Sequence, residues 1–565
     1  MTATQSSVSR VRTFLTPDVA WRRPAIRALA VFAVSLAVRV WFRATYLVNW
    51  DAVNFALGVE SFDLEHHQPH PPGYVGYVLL GRLVRWIVGD PVLALTAVSV
   101  LSGAVATMFV YILGRRVVNE RAALVAAVLF GTSPLVWYYS GVALTYIVEV
   151  ALALPFVWLA MKARETRSLR WLALATVVLA LMGALRQTSL VLFLPVWLYA
   201  WFPFPTRDKV RTAGLLTVGT VIWLVPLLII SGGPLAYLHL SMDLAQLTGG
   251  VTWLGAGPGV LQNFAIVITG LVLGLHVSLF AIPLAIIRRR QDDRRPLEHR
   301  RLLLTWALPP LTVYLFVHSG QLGYVLVLLP VGIFWAASVF EASFKQAARA
   351  VTVAGLLVVI NVAGFTVLPE LAVAAAREGR IPLPDTVASP WLFERGIRQA
   401  SLVRSDAYWD ALIGEIETFD PERTAVLAEP RDGGSFRHVA FYLPEYVVYG
   451  VGDDLDGAIG HLFTGEGRRT DYSVDRLDNA ASILPLPNGI DTLVIPDARL
   501  REVFEEVPDI ETRRLDDGSR VAVVEVPPDS SILFLGEEGP ALVVPDAVAE
   551  LMAEEGLRSE METYR

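Results

Sequence analysis

The chain has 565 residues, 54% of them hydrophobic, with a mean hydropathy of +0.50, which excludes an ordinary soluble enzyme and puts the membrane class first. It has no Cys, so disulfides and thiolate chemistry are excluded. The net charge of −7 conceals two unlike halves: residues 1–368 carry 29 Lys+Arg against 15 Asp+Glu, and residues 369–565 carry 18 Arg, no Lys and 39 Asp+Glu. That acidic half argues against a nucleic-acid partner, because phosphates repel it.

In chain order, residues 1–24 read as a basic cytoplasmic segment with Arg10, Arg12, Arg22 and Arg23. The apolar run 25–47 that follows reads as an uncleaved signal anchor, too long for a signal-peptide core and without a cleavage site. Ten further runs are long enough to span a bilayer: 91–114, 120–139, 142–161, 171–185, 187–203, 212–231, 259–287, 302–317, 322–341 and 349–368. Residues 171–203 are split at Arg186, because one helix of that length overruns a bilayer. With these spans every basic cluster falls on the cytoplasmic side, which predicts about eleven transmembrane helices, N-terminus in and C-terminus out. Three Lys among 47 basic residues is the composition of a high-GC bacterial genome, so the expected location is a bacterial inner membrane.

One segment decides the parity. Gly73 to Gly89 looks like another span, but it is short, and Arg82 and Arg85 share one helical face. It is therefore expected to lie in the interface. Residues 48–90 then form one outer loop of the membrane domain 25–368, with two interfacial helices. Residues 369–565 are expected to form an extracytoplasmic α/β or α+β domain, with strands at 424–428, 446–451, 491–496, 520–526 and 531–535. Helices are expected there at 391–402, 406–417, 434–442, 497–507 and 546–556. Arg431, Asp432, Arg437 and His438 beside Gly433-Gly434 read as a solvated turn entering a helix, or less readily as a site.

The chemistry-bearing residues concentrate in the outer loop. Trp50 to Ser61 fits an amphipathic helix with Asp51, Asn54, Gly58 and Ser61 on one stripe. Asp51 sits just past the first span, placed for general-base work on an acceptor hydroxyl, or simply as a helix-start carboxylate. His70-Pro71-Pro72-Gly73-Tyr74 makes a rigid entry to the next helix. Glu65, His66 and His67 are weak ligand candidates for a divalent metal, against the plainer reading of an exposed polar loop; no other cofactor is implied. Glu149 in an apolar helix is either functional or the partner of a base such as Arg186. Arg186 itself suits a phosphodiester leaving group, or snorkels to the surface. His318, Gln321 and Tyr324 line a pocket or anchor the interface. Residues 232–258 are a mobile lid or a plain connection.

An outer-loop Asp past the first span, followed by His70-Pro-Pro-Gly-Tyr74, resembles the GT-C membrane glycosyltransferases, most nearly the group of aminoarabinose transferases and protein O-mannosyltransferase-like proteins. Further motifs follow in order over residues 25–345. They are Leu113-Gly114-Arg115-Arg116, Ser133-Pro134-Leu135, Tyr138-Tyr139-Ser140, Gly183-Ala184-Leu185-Arg186 with Pro195, and His318 to Tyr324 before Leu329-Pro330.

The resemblance implies a polyprenyl-phosphate sugar donor, an outer-face site, inversion at the sugar carbon, and a cell-envelope acceptor in contact with membrane lipids. It implies catalytic roles for Asp51 and Glu149, donor contacts from His70, Tyr146, Arg186, His318 and Tyr324, and an acceptor contact from Asn54. Two departures stand out. His70 replaces a Lys before Pro-Pro, and Tyr146 stands where a second-loop Asp is usual, with Glu149 one turn on. A transporter or lipid flippase is the alternative, and an assembly or receptor protein a third reading.

Overall fold

The computed structural model describes residues 24–247, 259–289, 300–318, 320–344, 347–377, 396–428, 436–453, 459–465, 473–476, 482–486, 489–496, 510–527, 531–534 and 540–543. The expected helices at 497–507 and 546–556, the basic N-terminal segment before residue 24, and Arg431 to Gly434 lie outside these residues. Two compact units are present: residues 1–44 with 71–401, and Thr45–His70 with 402–565. The loop carrying Asp51 and His70 thus folds with the C-terminal part of the chain.

The first unit is helical. Among the described residues, five helical segments are long and apolar enough to cross a membrane: Pro24–Trp41, Pro91–Val117, Tyr146–Thr166, Thr206–Ile230 and Val260–Ile287. Shorter apolar helices lie at Leu169–Leu185, Gln187–Trp201, Leu329–Ser343 and Val351–Thr366. Side-chain caps begin two helices of this unit, Pro91–Val117 and Glu120–Thr132. Asp90 caps Leu93 at 2.6 Å ahead of Pro91, and Asn119 caps Ala122 at 2.9 Å.

Several expected spans are interrupted. The run 120–139 divides into Glu120–Thr132 and Pro134–Tyr139, because Pro134 withholds the N–H that continuity needs. The run 259–287 passes through a 3-10 turn at His276–Phe280, and 322–341 begins as a 3-10 turn at Leu322–Val327. The expected loop 232–258 is a helix over Pro234–Leu247, and its Tyr237 hydroxyl donates to the Pro72 carbonyl at 3.2 Å.

The helix Val75–Val88 has 14 residues, about 21 Å of rise, well short of a bilayer core of about 30 Å. Its Tyr77 and Val78 are buried, while Leu79, Leu83, Trp86 and Ile87 are exposed. Gly76 abuts the backbone of Ala184 and Leu185; a Cβ there would sit 2.8 Å from the Ala184 carbonyl carbon, so no larger residue fits.

The second unit is built on a seven-stranded mixed sheet, in the order β4-β3-β2-β1-β6-β8-β7. Its strands are β1 (Thr424–Ala428), β2 (Val447–Asp453), β3 (Ile459–Gly465), β4 (Ser473–Arg476), β6 (Thr492–Ile495), β7 (Ile510–Arg514) and β8 (Arg520–Glu525). Strand β1 runs parallel to β2 and β6; the other pairs are antiparallel. A three-stranded antiparallel sheet pairs β9 (Ser531–Phe534) with β5 (Ser482–Pro485) and β10 (Pro540–Val543).

Alternation along β1 separates two apolar layers. Ala425 and Leu427 join Leu493, Ile495 and Val524 on one face. Val426 and Ala428 join Trp409, Leu412 and Ile416 of the helix Gln399–Ile416, and Phe436 and Val439 of the helix Phe436–Tyr442, on the other. Tyr46 and Trp50 pack against this second layer, which is how the early loop is incorporated.

Candidate functional site

The chemistry expected from sequence resolves into two clusters, one in each unit. In the helical unit, Arg186 caps the C-terminal end of Leu169–Leu185 in extended conformation, just before the helix Gln187–Trp201. It is 4% exposed, and Glu149, on the first turn of Tyr146–Thr166, is 1% exposed. Arg186 Nη1 lies 3.6 Å from Glu149 Oε2, within ion-pair range but beyond a hydrogen bond. The Ser189 hydroxyl donates to the other Glu149 oxygen. The guanidinium carbon sits 4.8 Å from the Tyr146 ring centroid and 4.7 Å from that of Tyr324. Two aromatic faces and one carboxylate therefore stabilise a cation withdrawn from water.

The aromatic wall continues around it. Tyr139 and Tyr146 rings lie 5.2 Å apart, Tyr146 and Tyr324 5.4 Å, Tyr314 and Tyr324 5.2 Å, and His318 and Tyr324 5.7 Å. Gly323 permits this closeness, since a Cβ there would fall 2.5 Å from the Tyr146 ring, and its N–H donates to the Tyr139 hydroxyl at 2.9 Å. Arg186 Nη1 and the Tyr314 hydroxyl are both buried and make no hydrogen bond. Unused donors of this kind, at a buried cation, are what an anionic oxygen would satisfy.

The structure thus gathers Glu149, Tyr146, Arg186, Tyr324 and His318, as the sequence suggested, and adds Tyr139, Ser189, Tyr314 and Gly323. Tyr139 stood in a quoted motif. Tyr314 carried no signal beyond being a tyrosine in an apolar run.

In the second unit, the helix Trp50–Glu60 begins at Asn49, whose side chain accepts from the Ala52 N–H. Residues Ala52 to Val59 are all buried, so this is an internal helix and not an amphipathic surface one. Its small residue serves close packing: a Cβ on Gly58 would fall 2.7 Å from the Pro69 ring. His70 Nε2 lies 3.8 Å from Asp51 Oδ1, and Asn54 Nδ2 lies 3.4 Å from His70 Nδ1.

Arg437 reaches the same group. It donates to Asn54 Oδ1, to the His67 carbonyl at 3.2 Å and to the His66 carbonyl at 2.6 Å, with its guanidinium 5.3 Å from the Trp50 ring. Arg437 is 3% exposed and His438 is fully buried, which overturns the solvated-turn expectation for these two residues. His438 stacks on Trp409 at 4.5 Å, and its Nε2 donates to the Leu47 carbonyl at 3.1 Å. Burial holds it neutral, pushed down to about 3.

The weak metal candidates do not converge. Glu65 is exposed, His66 bonds Asp63 at 2.7 Å, and His67 is pushed down to about 3 by burial and then by the Arg437 cation. Among the described residues no group of three or more His, Asp or Glu is arranged to hold a metal ion.

The fold is similar to that of a solved GT-C membrane glycosyltransferase. Residues 70–230 match the family described as dolichyl-phosphate-mannose-protein mannosyltransferase. ArnT from Cupriavidus metallidurans, crystallised bound to undecaprenyl phosphate, is similar at 14% identity and a TM-score of 0.54, over 88% of this chain and 97% of that one. The apo state of the same protein gives 14% and 0.54, over 90% and 98%. An Archaeoglobus fulgidus oligosaccharyltransferase in complex with zinc and sulfate is 13% identical with a TM-score of 0.43, over 90% of this chain and 76% of its own. No curated protein sequence matches the chain.

Proposed function

We propose that the protein transfers a sugar from a polyprenyl-phosphate donor to an acceptor hydroxyl at the outer face of a bacterial plasma membrane. The observation that carries this reading is the buried Arg186, whose Nη1 lacks a hydrogen bond beside the unused Tyr314 hydroxyl. As the sugar leaves, its phosphodiester becomes a monoester and gains charge, which a fixed guanidinium stabilises most at that moment. Tyr146, Tyr324 and His318 frame the donor group, and Glu149 orients Arg186 through their ion pair.

Asp51 takes the acceptor proton as the acceptor oxygen bonds to the anomeric carbon and the carbon–phosphate oxygen bond breaks, with inversion. His70 steadies Asp51, and Asn54 holds His70. The family match and the undecaprenyl phosphate bound to ArnT support the lipid donor class.

That the Asp51 loop and the C-terminal part of the chain share one side of the membrane has support beyond charge bias. Thr45–His70 and residues 402–565 form one unit, so both belong on one side of a bilayer. The chain between them must then cross an even number of times. Leaving out Val75–Val88 and the equally short Pro234–Leu247, ten candidate crossings remain between residues 91 and 366 among the described residues, which is compatible with eleven spans in all. A reporter fused at the C-terminus should read as extracytoplasmic; a cytoplasmic reading overturns the topology.

The activity test is transfer from radiolabelled undecaprenyl-phosphate mannose and undecaprenyl-phosphate aminoarabinose in membranes, wild type against Asp51→Asn. Full activity in the variant removes Asp51 from the reaction.

A further inference from the structure

Arginine has only N–H donors, so Asn54 must meet Arg437 with its carbonyl oxygen. The Asn54 amide nitrogen is thereby the atom facing His70 Nδ1, at 3.4 Å. An amide nitrogen donates and does not accept, so Nδ1 is the bare nitrogen of the ring. The proton of neutral His70 then resides on Nε2, the atom 3.8 Å from Asp51 Oδ1. The ring has little freedom to turn over: His70 is 8% exposed and its ring lies 5.2 Å from that of Phe55.

We propose that Arg437 is a positioning residue for Asp51: through Asn54 it selects the His70 tautomer whose Nε2–H faces the Asp51 carboxylate. The opposite tautomer would set a bare lone pair against a carboxylate. Selection of a histidine tautomer by a third group is a general device for orienting a reacting pair. Here a residue of the C-terminal unit does it for a loop near the N-terminus, 383 residues away in the sequence. The bearing of this relay on transfer rests on the proposed function; the relay itself does not.

Among the described residues, the charged and titratable groups around it include His66 with Asp63, His67, and Arg437 itself. Asp406 binds the backbone of Thr45 and Tyr46, and Asp410 the Tyr46 hydroxyl.

The test is hydrogen exchange at the histidine Cε1 position, read residue by residue by mass spectrometry across pH on the full chain in nanodiscs. Arg437→Ala removes a neighbouring cation and frees the tautomer. Both changes favour imidazolium beside Asp51, so the His70 midpoint should rise by about one pH unit. Arg437→Lys keeps the charge and one donor, and should shift it by less than half as much. His438 serves as the folding reporter and should stay untitrated above pH 5. An unmoved His70 midpoint with His438 still protected overturns the proposal.

If Arg437→Ala exposes His438, Asn54→Ala decides by the same criterion, since loss of the amide donor at Nδ1 also raises His70. On the transferase reading, with undecaprenyl-phosphate mannose as donor, Arg437→Ala should lower kcat about tenfold with KM unchanged. Absence of transfer in the wild type with both donors would count against that reading alone, and the exchange result would still decide the relay.

Discussion

Arg186 and Arg437 are both buried cations, and the two regions hold them in different ways. Arg186 sits between adjoining helices, facing a carboxylate 37 positions earlier and two tyrosine rings, with a nitrogen left unbonded. Arg437 donates to two backbone carbonyls and an amide of a distant loop. A guanidinium with an unused N–H in a closed aromatic site is poised for an incoming anion. One engaged by backbone carbonyls fixes the chain that supplies them. On the proposed function, the helical unit would bind the donor anion and the second unit would orient Asp51.

Substitutions can break this division, and the largest expected effect is on rate. Asp51→Asn should lower transfer by about two to four orders of magnitude while leaving thermal stability within about 0.5 kcal/mol. A matching loss of stability would make Asp51 structural. Glu149→Gln, which leaves Arg186 buried without its carboxylate, should cost about 3–5 kcal/mol of stability, read as a lower Tm in detergent. A stable Glu149→Gln protein with normal transfer would dissolve the ion-pair argument.

Acid should act on the second unit selectively. His67 and His438 are pushed down to about 3, against about 6.5 in an unfolded chain. Between those values the unfolded state binds more protons. The stabilisation is therefore intact above pH 6.5 and is lost as pH falls toward 3, by on the order of 1 kcal/mol per pH unit for each histidine. Near-ultraviolet circular dichroism melts at pH 7 and pH 5 would measure this, and an unchanged Tm would contradict it. The smallest effect belongs to the aromatic wall. Tyr324→Leu should weaken retention of undecaprenyl phosphate by about 1–2 kcal/mol, and Tyr324→Phe by less, measured by native mass spectrometry.

Much of this was legible in the residues, for physical reasons. Apolar length marked the helical segments, and the isolated Arg186 marked a helix break that is present. Strands β1, β2, β6, β8 and β9 were legible because each is a compact apolar run. The strands missed were β3, β4, β5, β7 and β10. Four of them, β4, β5, β7 and β10, are sheet edges, where polar sequences such as Ser473-Val474-Asp475-Arg476 are tolerated and often favoured.

Arg437 is named in the sequence only as the lesser alternative to a solvated turn, because its neighbours suggest a turn; its burial arises from residues 50–67, which no local pattern could reveal. The same separation explains why the loop's helix was read as amphipathic. Its outward face is covered by chain that lies more than 340 positions further on.

That separation has a consequence for biosynthesis. At about 5–20 residues per second, the ribosome needs roughly 20–80 s after making Asn54 to reach Arg437. Throughout that interval the segment bearing Asp51 has emerged without the surface it folds upon. A chain cut short before the sheet is complete would insert in the membrane yet lack the surface on which the Asp51 loop is ordered. On the proposed function, activity would be confined to finished molecules, and the late-made unit would act as a completion check.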